Sequence, residues 1–305
     1  MRLLNASGCL DALTAPEVTR TLYAYVTKTV TPLPREGNAP VRIAETEVGM
    51  LNAIGLANPG VDAFLAEYVP RLAALELPLW VSVGGFSVAD YVHVASRLAE
   101  RDEIETLELN LSCPNVDEVP ENVGEVVAAV RAVTDKPLYA KLSAAVADLA
   151  ATARAAEAAG ADGLSLVNTV KGLALDERTL KPVLARGAGG LSGPALRPVA
   201  LAAVHTCFRE TRLPILGMGG VATGRHVLEL LAAGASDVAV GTALFSDPGA
   251  VTRIRSELGA ELAALGFANP DNAVGAAHAP AETTLDPRSR LTAPKSLHTG
   301  LKLSG

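Results

Sequence analysis

Cysteine is scarce in this chain of 305 residues: Cys9, Cys113 and Cys207 are the only three. They form no CxxC pair and no Cys/His spacing, which argues for a reducing compartment, with the cytoplasm as the expected location. Four thiolates are usually needed to hold an iron–sulfur cluster, so this chain is not expected to carry one by itself. Basic residues are outnumbered, 26 Lys and Arg against 33 Asp and Glu, giving a formal charge of -7. That balance argues against nucleic acid or an anionic membrane as partner. Aromatic residues make up only 4%. No charge-free run reaches the ~18 residues of a membrane helix, and the longest, near 48–61 and 77–89, are broken by Gly or Pro. The first residues, MRLLNASG, show no apolar signal-peptide core. The five histidines have no metal-binding spacing and read as structural or exposed.

What is present is alternation. Strand patterns at 2–6, 22–28, 78–83, 105–110, 137–142, 163–168, 214–218 and 237–241 are separated by helical patterns such as 87–101, 147–159 and 223–233. Eight such units suggest a closed (β/α)8 barrel. Gly160 and Gly234 stand just past helices, and Asp247-Pro248 is expected to open the last one. The Pro-, Gly- and Asn-rich segment 29–60 interrupts the repeat, and a connection of that length inside a domain is usually functional. The barrel is expected over 1–267. Residues 268–305 lack a sustained apolar period and read as a flexible extension.

In a barrel of this kind the active site lies at the C-terminal strand ends. There the sequence places Ser7-Gly8, Lys28-Thr29, Ser82, Asn110, Lys141, Asn168-Thr169, Gly219-Gly220 and Gly241-Thr242. A lone Cys after a strand is usually a small buried hydrophobe, Asn often forms turns, and Lys is usually solvated. Convergence of all of them on one mouth favours a ligand instead, anionic or rich in hydrogen-bonding groups. Cys9 and Cys207 keep the reading of buried hydrophobes. The glycine turns after the seventh and eighth strands suit a phosphate. Gly217 to Ala222 also fits a relaxed dinucleotide pattern, but that leaves six strands and the second glycine site without a role. A flavin-free lyase using Lys141 as a Schiff-base amine and a non-enzymatic binding barrel remain open at this point.

The segments NASG, VTKTVTPLPREGNAPVRIAET, GMLNAIGLANPG, ELNLSCPNV, GLSLVNT, GGLSGPA, PILGMGGV and VGTALF occur in order over about residues 5–260. Together they resemble the class 1 dihydroorotate dehydrogenases. GMLNAIGLANPG and NTVKGLALD are more similar to the NAD-linked subclass 1B than to the fumarate-linked 1A. The resemblance implies an FMN enzyme that oxidises (S)-dihydroorotate to orotate in pyrimidine biosynthesis, with 1A or an FMN reductase of another dihydropyrimidine as alternatives. It implies that Cys113 is the base taking the C5 proton while flavin N5 takes the C6 hydride. Substrate contacts implied are Lys28, Asn52, Ala53, Ile54, Gly55, Leu56, Asn110, Asn115, Asn168 and Thr169. Flavin contacts implied are Ser7, Lys28, Thr29, Asn110, Lys141, Val167, Gly193, Gly219, Gly220, Gly241 and Thr242, with Lys141 at the N1–C2=O edge and the glycines at the phosphate. It also implies a homodimer and a separate electron-transfer subunit carrying FAD and a [2Fe–2S] cluster. Two departures stand out: the loop after Asn115 is short, DEVPENVGE, and the third strand, WVSVGG, has Ser82 where the subclass has Asn.

Overall fold

The computed structural model describes residues 1–111 and 122–279. Twelve strands occur among them: β1 (Leu3–Asn5), β2 (Tyr25–Val26), β3 (Ile43–Thr46), β4 (Gly49–Asn52), β5 (Leu79–Val83), β6 (Ile104–Asn110), β7 (Leu138–Leu142), β8 (Gly163–Leu166), β9 (Val170–Gly172), β10 (Gly189–Ser192), β11 (Ile215–Met218) and β12 (Asp237–Val240). Eight of them pair in parallel in the order β1-β12-β11-β8-β7-β6-β5-β2. A parallel bridge from Leu4 to Ala24 closes the ring between its two ends. This is a (β/α)8 barrel, and each strand position expected from the sequence holds one of its strands.

Closure at that seam depends on a side chain. Asn5 accepts a hydrogen bond from Val26 N and donates one to Val26 O, both at 2.8 Å. A carboxamide can do both at once, and here it replaces the ladder bonds that a two-residue β2 is too short to make. The barrel interior below the mouth is filled by Leu4, Val26, Trp80, Tyr139, Leu216 and Met218. Gly163 makes room for the Tyr139 ring: a methyl group there would lie 2.4 Å from Tyr139 Cε1.

Helices cover the outside, among them α1 (Val88–Ala99), α2 (Val123–Arg131), α3 (Leu149–Ala158), α4 (Arg197–Glu210), α5 (Gly224–Ala233) and α6 (Ala250–Ala264). α1 begins at a reciprocal cap, with Ser87 Oγ accepting from Asp90 N and Asp90 returning to Ser87 N, both at 3.2 Å. Gly160 and Gly234 end α3 and α5 with φ of +97° and +118°. α6 starts at Ala250, just after the Asp247-Pro248 signal.

Two expectations change. The segment 29–60 is not simply a loop: β3 and β4 within it join β9 and β10 in a second, antiparallel sheet of order β3-β4-β10-β9. Residues 268–279, expected to be flexible, lie against the barrel: Ala273 is buried, Gly275 N donates to Leu231 O at 3.0 Å, and the His278 ring bonds Ala233 O at 2.9 Å. Residues 280–305 lie outside the described residues.

Candidate active site

Two adjoining cavities open at the C-terminal ends of the barrel strands, with about 880 and 470 Å³ of empty space. They share Ser7, Cys9, Lys141, Asn168, Thr169 and Ser192, so they form one groove. The larger is lined by Lys28, Thr29, Asn52, Ile54, Gly55, Leu56 and Asn110 in addition. The smaller is lined by Val167, Gly193, Gly219, Gly220, Gly241 and Thr242. Nearly all the described residues expected at the site are therefore brought together.

Ala53 is the exception. It is buried beside Leu51 and Leu184, and its N donates to Arg42 O at 2.7 Å. Side chains alternate along an extended segment, so Asn52 and Ile54 reach the groove only if Ala53 turns away. Cys113 and Asn115 lie outside the described residues.

The polar groups of the mouth form a chain. Thr29 Oγ1 and Ser82 Oγ lie 3.0 Å apart, Asn110 Nδ2 donates to Thr29 Oγ1 at 3.1 Å, and Asn168 Nδ2 donates to Asn110 Oδ1 at 3.2 Å. Tyr91 Oη holds the backbone of Asn110 by donating to its carbonyl at 2.7 Å. Asn168 Oδ1 accepts from Thr169 N at 2.8 Å, which fixes which end of that carboxamide faces which way. Ser82 thus lies behind Thr29 and orients it, rather than lining the groove.

On the opposite side the second sheet forms a wall. Asn52 on β4 donates to Gly190 O on β10 at 3.2 Å. Gly190 is required there because a methyl group would lie 2.1 Å from Thr169 Oγ1. Ser192 Oγ meets Thr242 Oγ1 at 2.9 Å, joining this sheet to the loop after β12.

Several contributors were not expected. Cys9 lines both cavities, and its position directly after Ser7-Gly8 was the available signal. Burial pushes its thiol up, although Lys141 and Lys28 pull the other way. Ile43 and Met50 enter from the second sheet, and Phe245 from the segment after β12. Glu108 forms an ion pair with Lys141, Oε1 to Nζ 3.2 Å, with both side chains almost fully buried. Among the described residues no cluster of His, Cys, Asp or Glu is arranged to hold a metal.

Such a groove can take a long ligand with an anionic end at the glycines and a flat, hydrogen-bonding group at the carboxamides. Comparison with known proteins is consistent with this geometry. A family model described as dihydroorotate dehydrogenase matches residues 2–262. A protein of Anoxybacillus flavithermus named "Dihydroorotate dehydrogenase B (NAD(+)), catalytic subunit" is 47% identical over 253 residues, 81% of each chain. The like-named protein of Geobacillus kaustophilus is 44% identical over 285 residues, 90% of each chain. A crystal structure of DHODH from Eimeria tenella in complex with ferulenol superposes with a TM-score of 0.78 at 23% identity, covering 92% of this chain and 86% of that one. The extent of the family match and the identity over four-fifths of the length lead to one conclusion: this chain belongs to the dihydroorotate dehydrogenase family.

Proposed function

We propose that this protein is the FMN-containing catalytic subunit of an NAD-linked dihydroorotate dehydrogenase, oxidising (S)-dihydroorotate to orotate in pyrimidine biosynthesis. One observation carries the reading: the lysine- and carboxamide-lined cavity is continuous with a glycine cradle at the ends of β11 and β12. The cradle fits the cofactor's phosphate. Gly219 and Gly220 have φ of +126° and +72°, and a methyl group on Gly220 would meet Gly193 O at 2.9 Å. Their bare backbone lets an anion approach the N–H groups.

FMN, when bound, supplies the hydride acceptor. Lys141, shared by both cavities, would face the cofactor edge where negative charge develops on reduction. Lys28 would neutralise the substrate carboxylate. Asn52, Asn110 and Asn168 would match the donors and acceptors of the pyrimidine ring, and the Thr29–Asn110–Asn168 chain holds two of those carboxamides oriented before the substrate arrives. Cys113, three residues after Asn110 in the sequence, would remove the C5 proton, a role that a thiol held near neutrality can fill.

The relatives' name, "catalytic subunit", supports a separate subunit for the electrons to leave by. We assign that partner an FAD and a [2Fe–2S] cluster. A homodimer is part of the same proposal, supported by exposed apolar side chains on and beside the second sheet, including Val41, Ile43, Val48 and Leu173. No helix among the described residues is long and apolar enough to cross a membrane, which fits a cytoplasmic assignment.

Anaerobic mixing with dihydroorotate tests the reading. Bound flavin is expected to bleach with dihydroorotate and not with dihydrouracil. Protein that takes up no FMN, or that is bleached by dihydrouracil alone, contradicts it.

A further inference from the structure

Glu108 lies on β6 two residues before Asn110, so both point into the barrel. It is fully enclosed, one carboxylate oxygen pairs with Lys141 Nζ at 3.2 Å, and the other has no hydrogen-bond partner among the described residues. Apolar side chains such as Trp80 and Tyr139 fill the barrel beneath the mouth. A buried ion pair is often no more stable than apolar residues of the same volume, and an unmatched carboxylate oxygen makes it less so. Folding stability therefore does not account for this charge. Lys141 lines both cavities whereas Glu108 lines neither, so any influence of Glu108 on a ligand passes through the lysine or through its field.

We propose that Glu108 is a positioning residue that fixes the Lys141 ammonium at the mouth and, by placing a negative charge behind it, lowers the reduction potential of the bound flavin. This rests on the FMN reading above. Reduction adds negative charge to the cofactor, and an ammonium beside it favours the reduced form. A fixed carboxylate 3.2 Å behind the ammonium cancels part of that field. Glu108 thus limits how strongly the site favours reduced flavin, which keeps the electrons transferable to the next acceptor.

The test is the midpoint potential of the holoprotein, measured for the wild type, Glu108→Gln and Lys141→Gln. Gln keeps an acceptor oxygen for Lys141 and removes the charge. Glu108→Gln is expected to bind reduced flavin about tenfold more tightly relative to oxidised, a rise of about 30 mV for a two-electron couple. Lys141→Gln is expected to shift the potential in the opposite direction. Loosening of the fold would not produce opposite signs in the two variants. An unchanged or lowered potential in Glu108→Gln overturns the proposal. Should that variant fail to retain flavin, Glu108→Asp, which keeps the charge, is expected to retain it near the wild-type potential, and loss of flavin there too is equally contrary. A wild-type protein that binds no FMN would instead sink the functional reading itself.

Discussion

At Gly8 the backbone has φ +76°, and an added methyl group would lie 2.9 Å from Lys28 Cδ. The loop after β1 therefore presses on the stem of the lysine assigned to the substrate carboxylate. Gly8→Ala is expected to displace that stem and so weaken orotate binding by roughly tenfold in a spectral titration, while its left-handed strain costs about 1–2 kcal/mol of folding stability. The Cys113 assignment predicts that Cys113→Ser slows flavin reduction in stopped flow by about 10²-fold or more, with orotate affinity retained. Unchanged reduction across a range of pH removes that thiol from the reaction. Burial pushes the Cys207 thiol up to about 12, so it should resist alkylation at neutral pH until the chain unfolds. Most polar residues of the groove were legible in the sequence because Lys or Asn at the end of an apolar strand needs a reason. Ala53 and Glu108 show the limit: the first needed the alternation within β4 and beyond, and the second needed the neighbouring strand that brings Lys141 to it.

The elements divide by how regular their patterns are. The barrel strands and the helices between them repeat, and their periods name them. The second sheet does not: β9 and β10 contain Gly172, Gly189 and Gly190, and β3 is only four residues long and partly exposed, so no sustained apolar alternation marks them. They are strands because β4 and β10 approach closely enough that a methyl group on Gly189 would meet Asn52 O at 2.6 Å. A tertiary contact of this kind is invisible to local propensity. The cradle after β11 gives a prediction at this scale. Gly220→Ala should strain φ of +72° and crowd Gly193 O, lowering FMN affinity by more than about tenfold while the far-ultraviolet circular dichroism stays unchanged. Full flavin retention by that variant would place the phosphate elsewhere.

For the molecule as a whole, the interior also sets an alkaline limit. Burial pushes the Tyr25 phenol from 10.0 up to about 12, and its hydroxyl donates to Leu10 O at 3.1 Å. The folded state thus holds the phenolic proton more tightly than the unfolded chain. This contribution is complete below pH 10 and is lost as pH rises towards about 12, a change of roughly 2 kcal/mol. Denaturant titrations should show that slope, and Tyr25→Phe should reduce it; an identical slope in the variant assigns it to other groups. At the same scale, the site is assembled from parts far apart in sequence, with Ser7, Asn52, Lys141 and Thr242 around one groove. On the proposed function, this groove holds a flavin and a small flat acid side by side. Titrating the FMN-loaded protein with orotate while recording the flavin spectrum tests it most directly. A saturable perturbation of the flavin bands at one orotate per chain, weakened in Lys28→Met, is the predicted result. Orotate binding that leaves the flavin spectrum untouched would contradict it.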